Sequence, residues 1–287
     1  MAIASPFAGT TTAPRRRMKI GARWWAVTPF VVLVLIALIG PLFLPYSPTT
    51  VVGPSSESPS AKFLFGTDSA GMDVFSRTIA AARIDLLIGL AVTLFATSIG
   101  ILLGLLVGMN ESKASYRATL ARGTARVVDL VEAVPAVLMG LVIVSFYGAS
   151  VATLIIALSI ILSPLQVRLV RTEVLRVRRE SYLDAARMAG DSELKLTFAS
   201  VLPNSSWAAL ENSSVVFAIS IILTASLGFI GVGLPQPTPE WGSMLARGTS
   251  DALVSRWWSS AFPALALAFA VVGASLAAHT VFGKVRR

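Results

Sequence analysis

The residues of this chain best arranged to act on another surface lie in one short polar run, Ser181-Tyr182-Leu183-Asp184-Ala185-Ala186-Arg187-Met188-Ala189-Gly190. Tyr182, Ala185, Ala186 and Ala189 follow the i, i+3, i+4, i+7 spacing that puts them on one face of a helix. Most of that face is alanine, so another backbone can approach it closely. Gly190 stands where a glycine ends a helix in the left-handed conformation, and Leu202-Pro203 follows a little further on. A free helix of about ten residues is marginal in water. Something must therefore hold the 181–190 segment, either this chain's own helices or a partner. The chemistry on offer is docking.

Bond-making chemistry finds little support elsewhere. Cysteine is absent, which removes disulfides, thiolate metal sites and cysteine nucleophiles. A single histidine, His279, excludes a multi-histidine metal site within the chain. Gly283-Lys284 lacks the upstream glycine loop of a phosphate-binding turn. Ionisable groups in or near apolar runs are functional candidates by default. Asp85 and Asp129 fall at the ends of such runs, where a solvated or interfacial carboxylate is the simpler expectation. Glu132 lies one turn deeper than Asp129. Glu211 reads as a carboxylate near a helix start, and His279 as a structural interfacial residue.

The elements that position the docking run are membrane spans. Only 14% of the 287 residues are charged and 55% are hydrophobic, against about 25% charged in a soluble domain. A span needs about 20 apolar residues. Six runs qualify, at roughly 25–44, 86–109, 127–147, 151–169, 207–234 and 261–282. The expected fold is all-α, a polytopic membrane protein of six transmembrane helices with a short polar helix near 181–190. Residues 24–287 would form the transmembrane domain, with a loop at 46–84, and residues 1–23 a disordered basic tail. Gly148-Ala149-Ser150 makes a tight turn between the third and fourth spans. The first apolar run is longer than the core of a signal peptide and lacks a small-residue cleavage site, so it is expected to be retained.

Charge gives the orientation. Arg15, Arg16, Arg17, Lys19 and Arg23 precede the first span, and Lys113, Arg117, Arg122 and Arg126 lie between the second and third. Arg168, Arg171, Arg176, Arg178, Arg179, Arg187 and Lys195 lie between the fourth and fifth, and Lys284, Arg286 and Arg287 close the chain. The opposite side is poor in Lys and Arg. Both termini are thus expected in the cytoplasm. The net charge of +9 is spread over these short segments, which argues against a nucleic-acid partner.

The segment from Tyr182 to Asn204 resembles the coupling motif of ABC importer permeases: Asp184-Ala185-Ala186, then Gly190, then Leu202-Pro203. Asp184 replaces the usual Glu. Other stretches are similar to the oligopeptide/dipeptide/nickel permease family, and to its C-type subunit in particular. They are Phe65-Gly66-Thr67-Asp68 with Gly71 and Asp73-Val74-Phe75-Ser76-Arg77, then Arg126, Asp129 and Pro135, and above all Leu227 to Gly233 followed by Pro237-Thr238-Pro239-Glu240-Trp241-Gly242-Ser243-Met244-Leu245. Two departures stand out. Met72 sits where the family usually has Arg, and Ala278-His279-Thr280 sits where Gly-Asp-Gly is common.

The resemblance implies the ABC type I importer permease fold in a bacterial plasma (inner) membrane. It implies a second homologous permease subunit, two cytoplasmic ATPase domains that bind ATP and Mg, a solute-binding protein outside and lipid around. No cofactor, metal or catalytic residue is expected in this chain. Tyr182, Asp184, Ala185, Ala186, Arg187, Ala189, Gly190, Leu202 and Pro203 would couple to an ATPase subunit. Gly66, Thr67, Asp68, Pro239, Glu240, Trp241 and Gly242 would form the external gate and binding-protein platform, while Trp257 and Trp258 read as an aromatic belt. Gly190→Asp or Ala186→Glu is expected to abolish uptake but not insertion. The cargo expected is a peptide, with nickel or haem as alternatives. An ion-coupled secondary transporter or channel is the competing class, but the inverted halves and midplane charges of such folds are not evident.

Overall fold

The computed structural model describes residues 25–110 and 116–282. The basic tail read at 1–23, Lys113, and Lys284, Arg286 and Arg287 lie outside the described residues, as do the side chains of Arg117 and His279. Among the described residues, ten α-helices run in order: α1 Thr28–Ile39, α2 Val74–Asn110, α3 Tyr116–Ala133, α4 Ala136–Tyr147, α5 Val151–Val177, α6 Ser181–Met188, α7 Glu193–Leu196, α8 Leu202–Ile230, α9 Trp241–Ala252 and α10 Trp258–Phe282. A 3₁₀ turn, Gly40–Leu42, extends α1, and a π turn, Thr197–Val201, joins α7 to α8.

Among the described residues, α2, α5, the run Glu193–Ile230 and the Trp258–Ala278 part of α10 are long and apolar enough to cross a membrane. The expected third span is broken: α3 and α4 meet at 94°. Pro135 explains the break, since it has no N–H to give and disfavours a helical residue before it. The first apolar helix, Thr28–Leu42, is short of a full span.

Several boundaries differ from the hydropathy reading. α2 begins at Val74, so the loop expected at 46–84 ends at Asp73. Ser76, Arg77, Thr78 and Asp85 lower the hydropathy there, yet all are buried in helix. α5 continues past Leu169 to Val177 because Arg168, Arg171 and Arg176 are compatible with helix even where they end the apolar window. α8 stops at Ile230, ahead of the expected 234, because Gly231 turns left-handed at φ +93°.

Among the described residues, buried side chains gather into three clusters. One joins α1, α2, α8, α9 and α10, with Phe217, Trp241 and Trp258 in it. A second joins α2, α4, α5 and α8. The third gathers Leu105, Met109, Val170, Val174, Leu183, Leu196 and Val201 at the α6 end. Close packing of α2 on α5 depends on a glycine ladder four residues apart. A Cβ at Gly100 would stand 2.2 Å from the Gln166 Cβ, at Gly104 2.7 Å from the Val170 Cβ, and at Gly108 2.6 Å from Val174 Cγ1. Small residues at this spacing let membrane helices touch backbone to backbone.

Candidate functional site

The docking run is a helix held from one side only. Leu183 is fully buried in the cluster formed with α2, α5, α7 and α8. Burying a leucine completely is worth about 1.5–3 kcal/mol, which gives the eight-residue α6 the support it lacks alone. Ala186 is half-buried against the same cluster. Tyr182, Ala185 and Ala189 are exposed. The alanine face is therefore split: Ala186 leans on the body of the protein, and the other three positions face outward.

The end of α6 satisfies its own carbonyls. Gly190 has φ +92°, its N–H donates to Arg187 O at 3.0 Å, and the Asp191 N–H donates to Ala186 O at 3.1 Å. This is the double bond pattern of a left-handed glycine cap. Nothing lies within 4 Å of a Cβ built on Gly190, so the backbone angle, not space, requires glycine. Arg187 Nη1 donates to Asp184 Oδ1 at 2.7 Å, and its Nε donates to Glu193 Oε1 at 2.9 Å. Exposed pairs of this kind contribute about 0–1 kcal/mol each; the first lies within α6, and the second links α6 to α7. Ser192 caps α7 by accepting from the Lys195 N–H.

Leu202 and Pro203 open α8. Pro203 carries no N–H, and the π turn just before it absorbs the break in the helical ladder. Leu202 packs beside Val201 on the third cluster. The expected coupling residues thus form one connected unit, running from the end of α5 through α6 and α7 into α8. Above it, Gln166 ties three helices together: its Nε2 donates to Thr97 Oγ1 at 2.9 Å and to Ala209 O at 3.1 Å, and its Oε1 accepts from Asn212 Nδ2 at 3.2 Å.

At the other end, residues 46–73 fold into a cap. Gly66, Thr67 and Asp68 are buried inside it. Thr67 Oγ1 donates to Pro54 O at 2.6 Å and accepts from the Glu57 N–H at 2.7 Å. Asp68 Oδ1 accepts from the Ala70 and Met72 N–H groups, each at 2.9 Å. Gly66 has φ +72°, and a Cβ there would meet Glu57 O at 2.5 Å. These residues shape the cap from within. Arg77, fully buried, reaches across it: Nη1 donates to Pro48 O at 2.8 Å and to Pro237 O at 3.1 Å, while Asp68 Oδ2 lies 3.7 Å from its Nε. Met72, where the family usually has Arg, places its Sδ 2.9 Å from Arg77 Nη1.

Pro239, Glu240, Trp241 and Gly242 are buried as well, at the start of α9. Glu240 caps that helix by accepting from the Gly242 N–H at 2.7 Å and the Ser243 N–H at 2.8 Å. Burial pushes the Glu240 carboxyl up from its ordinary range, and the two N–H donors pull it back. The Trp241 N–H donates to Asp85 Oδ2 at 3.0 Å, and its indole N–H donates to Thr78 O at 3.0 Å. Gly228 and Gly242 make room: a Cβ at Gly228 would sit 2.1 Å from Glu240 Oε2, and one at Gly242 2.1 Å from Ala225 O. The two glycine-rich loop signatures interlock.

Other expectations need correction. Asp85 is buried against α9, not solvated, because α2 begins eleven residues before it and α9 covers it. Trp258 is 9% exposed and donates to Thr67 O at 3.1 Å, so it packs the cap and is no belt residue; Trp257 is 56% exposed. Glu211 sits within α8, not at its start. Asp129 and Glu132 both pair with Arg168, tying α3 to α5. Hydropathy missed the glycine ladder, Gln166 and Leu183. The spacing of Gly100, Gly104 and Gly108 was the available signal for the first.

The geometry defines a helical membrane component with one polar helix seated at one end and a capped loop layer at the other. The chain belongs to the family of binding-protein-dependent transport system inner membrane components, matched over residues 100–286. It is 36% identical over 251 residues to the di/tripeptide transport system permease protein DppC of Pseudomonas aeruginosa, covering 85% of this chain and 80% of that one. It is 34% identical over 254 residues to the probable D,D-dipeptide transport system permease protein DdpC of Escherichia coli, covering 87% and 83%. The fold matches a chain of the MetNI methionine ABC transporter in an inward-facing conformation, with a TM-score of 0.62 at 15% identity over 74% of this chain and 98% of that one. The resemblance to C-type subunits of the peptide permease group therefore holds, and the fold is that of an ABC importer permease.

Proposed function

We propose that this chain is one permease subunit of an ATP-driven importer that takes up peptides, handed to it outside the membrane by a solute-binding protein. It pairs with a second permease and receives force from two ATPase domains, which supply all nucleotide and Mg chemistry. Tyr182, Asp184, Ala185, Ala186, Arg187, Ala189, Gly190, Leu202 and Pro203 make up the coupling unit, on the cytoplasmic side with both termini. α6 lies in a groove of one ATPase subunit. When the ATPase pair closes, α6 moves, and α5 and α8 move with it because Leu183 and Leu196 lock the short helices to both. Packed interfaces of this kind switch between discrete arrangements.

The carrying observation is the asymmetry of α6: one face sunk in the cluster of α2, α5 and α8, the other small, exposed and ended by a left-handed glycine. Pro239, Glu240, Trp241 and Gly242, with Gly66, Thr67 and Asp68, form the interior frame of the external gate, on which the binding protein's platform rests. Relatives named for di- and tripeptides and D,D-dipeptides support a peptide cargo. Gly190→Asp and Ala189→Glu are expected to abolish ATP-dependent peptide uptake in vesicles holding the full assembly while leaving the amount of inserted chain unchanged. Normal uptake by either variant would refute the coupling role.

A further inference from the structure

A cavity of about 470 Å³ lies along α8, between α5 and α10. Its volume falls in the usual range of small-ligand sites, about 300–1,000 Å³. Its apolar wall includes Val215, Ile219 and Val271, and its polar wall Glu173, Glu211, Asn212, Ser214 and Ser275. Glu173 accepts from Arg176 Nε at 2.8 Å, so its charge is met within α5. Glu211 differs. It is the one charged residue of α8, nine positions in from Leu202, or roughly 14 Å along the helix axis. Among the described residues its carboxylate has no hydrogen bond or ion pair. That depth exceeds the first turn, where a helix dipole stabilises a carboxylate.

Beside it, Asn212 gives one N–H of its Nδ2 to Gln166 Oε1 at 3.2 Å, and its carbonyl oxygen is an acceptor on a residue of the same lining. Ser214 Oγ donates to Glu211 O at 3.4 Å and the Ser275 hydroxyl can accept as well as donate, so among the described residues the Glu211 carboxylate is the unpaired charge of this wall. The matching ligand group is a compact cation with several donors. A protonated α-amino group has three donors and an ordinary pKa of about 7.7–8.0, so it is largely charged at neutral pH. A bare proton would not need so large a space. The same Asn212 contact links the cavity through Gln166 to Thr97 on α2, so occupancy bears on the helices that move.

We propose that Glu211, helped by the Asn212 carbonyl, receives the free ammonium end of the peptide in transit. This makes the permease itself selective for an uncapped amino terminus. The inference rests on the peptide-import reading above, and its test separates the two. Wild-type and Glu211→Gln assemblies in vesicles are given saturating binding protein loaded with a dipeptide or with its N-acetylated form. The binding protein is common to both assemblies, so its own preference cancels when the two are compared peptide by peptide.

A charge-assisted hydrogen bond is worth enough to predict about a tenfold slower uptake of the free dipeptide by Glu211→Gln, against less than about twofold for the acetylated form. Glu211→Asp should recover part of the difference. Equal slowing of both peptides would overturn the proposal and assign Glu211 to packing or to a cation of the partner subunit. Unchanged uptake of both would overturn it too. If the wild-type assembly moves neither peptide with ATP, the peptide-import reading fails, and this inference with it.

Discussion

Gly228 and Glu240 are twelve positions apart in sequence and in contact in space, and the chain has room for the carboxylate only because the first has no side chain. Gly228→Ala would set a methyl group 2.1 Å from Glu240 Oε2, and overpacking of this kind costs about 1–3 kcal/mol. We expect a lower melting temperature of the purified assembly and slower uptake. A melting temperature equal to wild type would contradict the packing argument. At this scale the sequence was only partly legible. The residue types at Gly228, Glu240 and Trp241 marked a signature, but not that they interlock inside the molecule. Asp85 shows why: its solvation depends on α9, which arrives from more than 150 residues away. Single-residue burial is a tertiary property, and hydropathy averaged along the chain does not carry it.

At the scale of elements, α6 is the piece on which the account turns, and its two faces can be tested apart. Leu183→Ala removes the anchor and leaves Tyr182, Ala185 and Ala189 in place. Large-to-small changes at buried leucines cost about 2–5 kcal/mol. We expect this variant to keep binding the ATPase partners in detergent pull-down yet to lose most uptake, since force on α6 no longer reaches α5 and α8. Full uptake by Leu183→Ala would mean that the seat does not transmit. The helix itself was legible, because spacing and the glycine stop fix it locally. Its end at Met188 and the cap bonds of Gly190 and Asp191 follow the local code. The broken third span was less so: Pro135 was visible in the sequence, but not the 94° at which α3 and α4 meet beside it.

For the whole molecule, the order of apolar runs gave the helical membrane architecture, and the loop motifs gave the family. Neither reported how the helices touch. The α2–α5 contact runs along Gly100, Gly104 and Gly108, while the same helices expose Leu87, Leu94 and Leu102 on the other side of α2. Apolar residues face both lipid and protein in a membrane chain, so hydrophobicity alone does not sort the inner from the outer face.

The lack of cysteine allows the central claim to be read directly. Ala189→Cys places a thiol on the exposed face of α6, and Leu183→Cys places one on the buried face. In vesicles holding the complete assembly, a short bifunctional thiol reagent should join Ala189→Cys to an ATPase subunit carrying a cysteine in its docking groove, and should leave Leu183→Cys unjoined. The yield should change on adding ATP, and the joined assembly should stop importing until a reductant cleaves the reagent. Import that runs without ATPase subunits, or that is untouched when α6 is tied to them, would contradict the account.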